Sequence, residues 1–175
     1  MAQMIILHAW FEKKMKIFFF FFLVIFRRKG YIENTEEPFM GLVKAEITLK
    51  NTGDITDAQR GYIKEPEIRQ TTVTAMVDTG AATLVINEAI RRQLGLNLQD
   101  IYVAELADGS VQTYNKTEAV QIQWKNRDAL CRAILIPNAS DVLLGAIPLE
   151  EMDLIINPLK QELIGAHGDQ AILRV

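Results

Sequence analysis

Apolar and polar residues begin to alternate at Val43. Val43, Ala45, Ile47 and Leu49 fall between Lys44, Glu46, Thr48 and Lys50, the two-residue period of a strand with one buried face. Residues 51–70 are polar and carry Gly53, Gly61 and Pro66, which predicts a long loop or a hairpin insertion. Alternation returns over residues 71–77, with Val73, Ala75 and Val77 on one face. A short apolar run over 83–86 leads into Asn87-Glu88, the cap of a brief helix carrying Ile90 and Leu94 and stopped by Gly95. Asp108-Gly109, between residues 101–107 and 111–114, is a hairpin signal. Further strands are predicted over 120–124, 130–136 and 142–144. Pro148 suits the first turn of a helix through Met152. Residues 154–156, 162–164 and 171–175 close the list of strand candidates. The expected fold is mainly β with two short helices.

The segment before this pattern has a different make-up. All eight phenylalanines lie in residues 1–39, which hold 6 basic and 4 acidic side chains, against 13 and 18 in residues 40–175. Such unlike regions are not expected to share a core, so residues 1–39 read as an N-terminal extension and 40–175 as the folded domain. Residues 17–26 are uniformly apolar between Lys13, Lys14, Lys16 and Arg27, Arg28, Lys29. A spanning helix needs about 20 such residues. The run has the length of a signal-peptide core, but a basic triplet stands where a small-residue cleavage site belongs. The favoured reading is an extension with no folded role, Met40 serving as the start. A segment lying on an anionic membrane surface and a docked helix are the alternatives. The expected location is the cytoplasm, or the membrane through the Phe-rich segment.

Composition narrows the chemistry. One cysteine, Cys131, rules out an intrachain disulfide and a thiolate zinc site. Two histidines and two serines leave little for a Ser-His-Asp hydrolase. A formal charge of -3 argues against a nucleic-acid partner. Carboxylates remain, with no metal and no cofactor expected. Cys131, in a predicted strand, reads as a buried inert thiol. His167 reads as a loop residue, and Arg91-Arg92 as a helix surface. Asp141, Glu150, Glu151 and Asp153 read as a solvated acidic edge without the spacing of a calcium loop.

The strand over 71–77 runs into Asp78-Thr79-Gly80-Ala81. By itself this tripeptide also fits a plain turn, with Asp capping and Gly at positive φ. Its context adds a hairpin tipped by Asp108-Gly109-Ser110 and then Val142-Leu143-Leu144-Gly145 before a helix. That order resembles the retroviral-type (retropepsin-like) aspartic proteases, over about residues 40–165, and in particular their small bacterial members. The resemblance implies an acid-protease barrel with half a site per chain. Asp78 would be the general base and acid. Thr79 would brace the two active-site loops, Gly80 would allow close approach, and Ala81 would fill the usual small-residue position. Ala107, Asp108, Gly109 and Ser110 would form a flap over an extended peptide, though this tip departs from the Gly-rich flaps of the viral enzymes. Two carboxylates sharing one proton supply both base and acid; with one Asp-Thr-Gly per chain, the second must come from a homodimer partner. Three readings stand in order: a homodimeric aspartic endopeptidase, a catalytically silent domain of that fold used for dimerisation or peptide binding, and an unrelated β-barrel binding module. The intact Asp78 favours the first, and Leu143-Leu144-Gly145 counts against the third.

Overall fold

A computed structural model of the chain describes residues 42–105, 111–157 and 159–168. The readings of residues 1–39, of the hairpin tip at Ala107, Asp108, Gly109 and Ser110, and of a strand over 171–175 fall outside those residues. The chain divides into two compact units, Met40–Tyr102 with Tyr114–Val175 and Met1–Phe39 with Val103–Thr113. Of the second unit, residues 103–105 and 111–113 are described, as strand.

The main sheet consists of strands β1 (Val43–Asn51), β2 (Gln70–Val77), β3 (Val85–Ile86), β4 (Leu98–Glu105), β5 (Val111–Trp124), β6 (Arg127–Leu135) and β7 (Val142–Leu144). Their order is β1-β2-β7-β3-β6-β5-β4, and β1 also pairs with β5. Six strands therefore close into a barrel, with β4 outside the ring. The closure follows from β1 serving two neighbours. Along its length it pairs antiparallel with β2, Val43 opposite Val77, while its end pairs with β5, Asn51 opposite Val120. Its alternation is realised as read: Val43, Ala45, Ile47 and Leu49 are buried, and each fully buried side chain of this size contributes about 1.5–3 kcal/mol. The two expected strands over 111–114 and 120–124 are one strand, β5, with a bulge between Lys116 and Ala119.

Among the described residues there are three short helices where two were expected: α1 (Thr52–Gln59), α2 (Glu88–Gln93) and α3 (Ala146–Glu151). The added helix lies in the stretch read as a loop, with a 3-10 turn at Glu65–Glu67 behind it. Asn51 caps α1, its Oδ1 accepting the Asp54 N–H at 3.1 Å. Asp54 then grips Arg69, Oδ1 accepting from Nη2 at 2.6 Å and Oδ2 from Nε at 2.7 Å. A helix made mostly of polar residues persists here because a cap and an ion pair hold its first turn. Its hydrophobic pattern carries little signal, which is why periodicity passed it over. Helix α2 starts at its predicted cap, Asn87 Oδ1 accepting the Ile90 N–H at 3.1 Å, and ends before Gly95 at φ +61°.

Strands β8 (Leu154–Asn157) and β9 (Glu162–Gly165) form a separate hairpin. Leu154 and Leu163 on it join the main core. Asp153, read as part of a solvated edge, is instead nearly buried. Its carboxylate meets the buried Arg127 guanidinium at 3.1 Å and the His167 Nδ1 at 2.8 Å. Arg127 Nη1 also donates to the Met152 and Asp153 carbonyls, and Nη2 to Gly168 O. Burying a charge is tolerated only with such saturation of its donors.

Candidate active site

Asp78 leaves β2 at the point where the ladder ends. Its N–H still donates to Leu144 O at 3.0 Å, extending the parallel β2–β7 pairing by one bond. The chain then turns: Ala81 N–H donates to Asp78 O at 3.1 Å, and Gly80 N–H donates to the carboxylate Oδ1 at 2.8 Å. A Cβ on Gly80 would stand 3.1 Å from that oxygen, so the missing side chain keeps the carboxylate's approach open. Asp78 Oδ2 has no hydrogen bond among the described residues, and the side chain is half-buried. Thr79 and Gly80 are exposed beside it.

A second segment anchors this loop. Ala146 N–H donates to Ala81 O at 2.9 Å and Ile147 N–H to Ala82 O at 3.0 Å. The first two amides of α3, which have no partner inside the helix, are thus satisfied by the Asp78 loop. Gly145 makes this contact possible: a Cβ there would lie 2.4 Å from Thr83 O and 2.6 Å from Ala81 O. On the other side, Thr83 Oγ1 donates to Arg132 O at 3.2 Å and Ile134 N–H to Leu84 O at 2.8 Å. The loop is therefore held from β7, α3 and β6 together. Gly145 ends the Val142-Leu143-Leu144-Gly145 run, and it is the point of closest approach between α3 and the Asp78 loop.

The face that carries Asp78 is apolar. Register pairs Met76 with Leu143, Leu143 with Val85 and Val85 with Ile134. Partners in register share a face, so the four form one row across β2, β7, β3 and β6. Their neighbours Ala75, Val77, Val142, Leu144, Leu84, Ile86, Ala133 and Leu135 all point into the barrel core. By the two-residue period of a strand, Asp78 lies on the side of Met76. A carboxylate with one oxygen fixed and the other open thus borders an apolar strip. The sequence carried a sign of it. In all four strands three apolar residues run together, as happens where both faces are covered.

Thr79, Gly80 and Ala81 sit with Asp78 in one turn, whereas Ala107, Asp108, Gly109 and Ser110, expected from the sequence to form a flap, lie outside the described residues. Cys131 is buried in β6, and burial pushes its thiol pKa up, the state of a packing residue and not of a nucleophile. Among the described residues no group of three or more His, Cys, Asp or Glu side chains could hold a metal ion, and no helix is long and apolar enough to cross a membrane.

Residues 65–151 match the family model described as "gag-polyprotein putative aspartyl protease". The matched span runs from the 3-10 turn through α3 and includes both Asp78 and Gly145. No curated protein matches the chain.

Proposed function

Because residues 65–151 form a retropepsin-like aspartyl protease domain, we propose that the chain is an aspartic endopeptidase whose active site is completed by a second copy of itself. The observation that carries this reading is the state of the Asp78 carboxylate. Gly80 N–H fixes Oδ1, and Oδ2 is left open on the apolar face. A lone carboxylate is a poor catalyst for amide hydrolysis, which needs a base for water and an acid for the leaving nitrogen. Two Asp78 carboxyls facing each other across a two-fold axis supply both, because mutual repulsion keeps one proton on the pair.

In this mechanism the ionised Asp78 takes a proton from the bound water as its oxygen attacks the scissile carbonyl. The protonated Asp78 of the partner subunit gives its proton to the carbonyl oxygen, forming a neutral gem-diol. The first carboxyl then protonates the leaving nitrogen while the partner recovers the hydroxyl proton, so the C–N bond breaks and the pair ends with one proton. Thr79 braces the two loops. The apolar strip favours apolar side chains near the scissile bond.

The test is Asp78→Asn, which keeps size and hydrogen bonding but removes the ionisable pair. Hydrolysis of quenched peptides should fall to background while the thermal melt is unchanged, with wild type sedimenting as a dimer at active concentrations. Full activity in a folded Asp78→Asn protein, or activity from a strict monomer, would refute the mechanism. A dimer without hydrolysis would return the silent-domain reading.

A further inference from the structure

From Gln70 to Asn87, and again from Val142 to Leu149, Asp78 is the single ionisable side chain. These two segments are the ones that meet at its turn. Strands β2 and β7 pair as far as Leu144, and the first amides of α3 donate to Ala81 O and Ala82 O. The surface there is an uncharged patch around one carboxylate. Thr79, Gly80 and Ala82 are exposed on it, and all three are small. Ile147 is not. Its N–H holds Ala82 O at 3.0 Å, and the residue is 52% exposed while Pro148 and Leu149 after it are buried. Of the large apolar residues exposed among the described residues, Ile147 is the one whose backbone is bonded to the Asp78 turn.

Resting on the peptidase reading above, we propose that Ile147 is the apolar anchor of self-association, covered by a second copy of this chain when two Asp78 carboxyls meet. That reading brings a second Asp78 turn against this one, and whatever is bonded to the turn comes with it. Two like carboxyls oppose association, so the attraction has to come from the ground around them. An uncharged patch gives up its water at little cost, whereas every charge on it would need a partner. Thr79, Gly80 and Ala82 offer little apolar area, which leaves Ile147 to supply it. A two-fold axis presents the same patch from both chains, so one residue acts twice in each dimer.

Sedimentation equilibrium and quenched-peptide hydrolysis, run over one range of protein concentration, test this on wild type, Ile147→Ala, Ile147→Glu, Ile147→Leu and Tyr62→Glu. Tyr62 is the matched control, a large side chain 76% exposed behind α1 with no bond to the Asp78 turn. Ile147→Ala should raise the dimer dissociation constant about ten- to a hundredfold, since apolar area is lost from both copies. Its activity should fall at low concentration and return in full at high concentration, with a midpoint that follows that constant. Ile147→Glu should be a folded, inactive monomer by circular dichroism and sedimentation. Ile147→Leu and Tyr62→Glu should behave as wild type. An unchanged dissociation constant in Ile147→Ala, a dimer surviving in folded Ile147→Glu, or equal weakening in Tyr62→Glu would overturn the proposal. So would a lowered kcat in fully dimeric Ile147→Ala, which would set the side chain against the peptide. Asp78-dependent hydrolysis by a dimer indifferent to Ile147 removes this inference alone. An Ile147-dependent dimer without Asp78-dependent hydrolysis removes the peptidase reading alone.

Discussion

Gly145→Ala is the sharpest test of how the Asp78 loop is held. The backbone of Gly145, at φ -86° and ψ -176°, is open to any residue, so the cost is not torsional. The new Cβ would stand 2.4 Å from Thr83 O, 2.6 Å from Ala81 O and 2.6 Å from Thr83 N. All three are backbone atoms and cannot rotate aside. The loop and α3 must separate, which strains the bonds from Ala146 N–H to Ala81 O and from Ile147 N–H to Ala82 O. Overpacking of this kind costs about 1–3 kcal/mol. Two net hydrogen bonds add about 1 kcal/mol each. The total, about 3–5 kcal/mol, is a large share of the 5–15 kcal/mol that holds a typical domain, so the variant should fold but melt about 10–20 °C lower. The assay is a thermal melt with urea titration, run beside Gly61→Ala. Gly61 has φ +77° with nothing within 4 Å of an added Cβ, so it carries only the left-handed backbone cost of about 1–2 kcal/mol. A Gly145→Ala protein melting no lower than Gly61→Ala would refute the close approach and with it the account of the loop.

Arg127→Met should cost about 3–5 kcal/mol in urea unfolding, because it strips the donors from Asp153 and from the Met152 and Gly168 carbonyls; adding Asp153→Asn should recover part of the loss, and an unchanged midpoint in the single variant would show the guanidinium is not buried. Acid should weaken the fold through two carboxylates with depressed pKa values. Arg91 and then Arg92 hold Glu88 at about 2, from 4.5, and Arg69 holds Asp54 below its ordinary 3.8. A lowered folded pKa contributes stability that is complete above the unfolded value and is lost as pH falls through the folded one. The Glu88 share should therefore be intact above about pH 4.5 and gone near pH 2, and Glu88→Gln should melt below wild type at pH 6 but level with it at pH 2; a constant gap across that range would remove the assignment.

The barrel was legible wherever one face of a strand is wet. Lys44, Glu46, Thr48 and Lys50 announce β1 because water on one side forces the alternation. Asn87 announced α2 by the same directness, since a cap is a local bond between residues close in sequence. The helix α1 was hidden because its polar stretch has no apolar period beside the local Asn51 cap, and the rest of what holds it is not local: Asp54 needs Arg69, and nothing near Asp54 says so. Arg127 was hidden for the same reason, its acceptors lying in Met152, Asp153 and Gly168. Asp78 itself stood out by motif and context, yet the strip beside it did not. Met76, Leu143, Val85 and Ile134 look like ordinary core residues until the register separates them from their inward-facing neighbours.

The anchoring of the Asp78 loop bears on what a second subunit has to contribute. Every bond found for the loop, from Leu144, Gly80, Ala146, Ile147 and Arg132, lies within one chain. The turn that aims the carboxylate is thus tied to its own barrel at several points. Under the proposed mechanism the partner adds a second carboxyl to a loop already formed, and what association changes is the charge state of the pair. The monomer is then a folded chain with a single carboxylate in the turn. On the proposed mechanism catalysis would appear only with the dimer, because only two such groups, brought close, are forced to hold one proton between them.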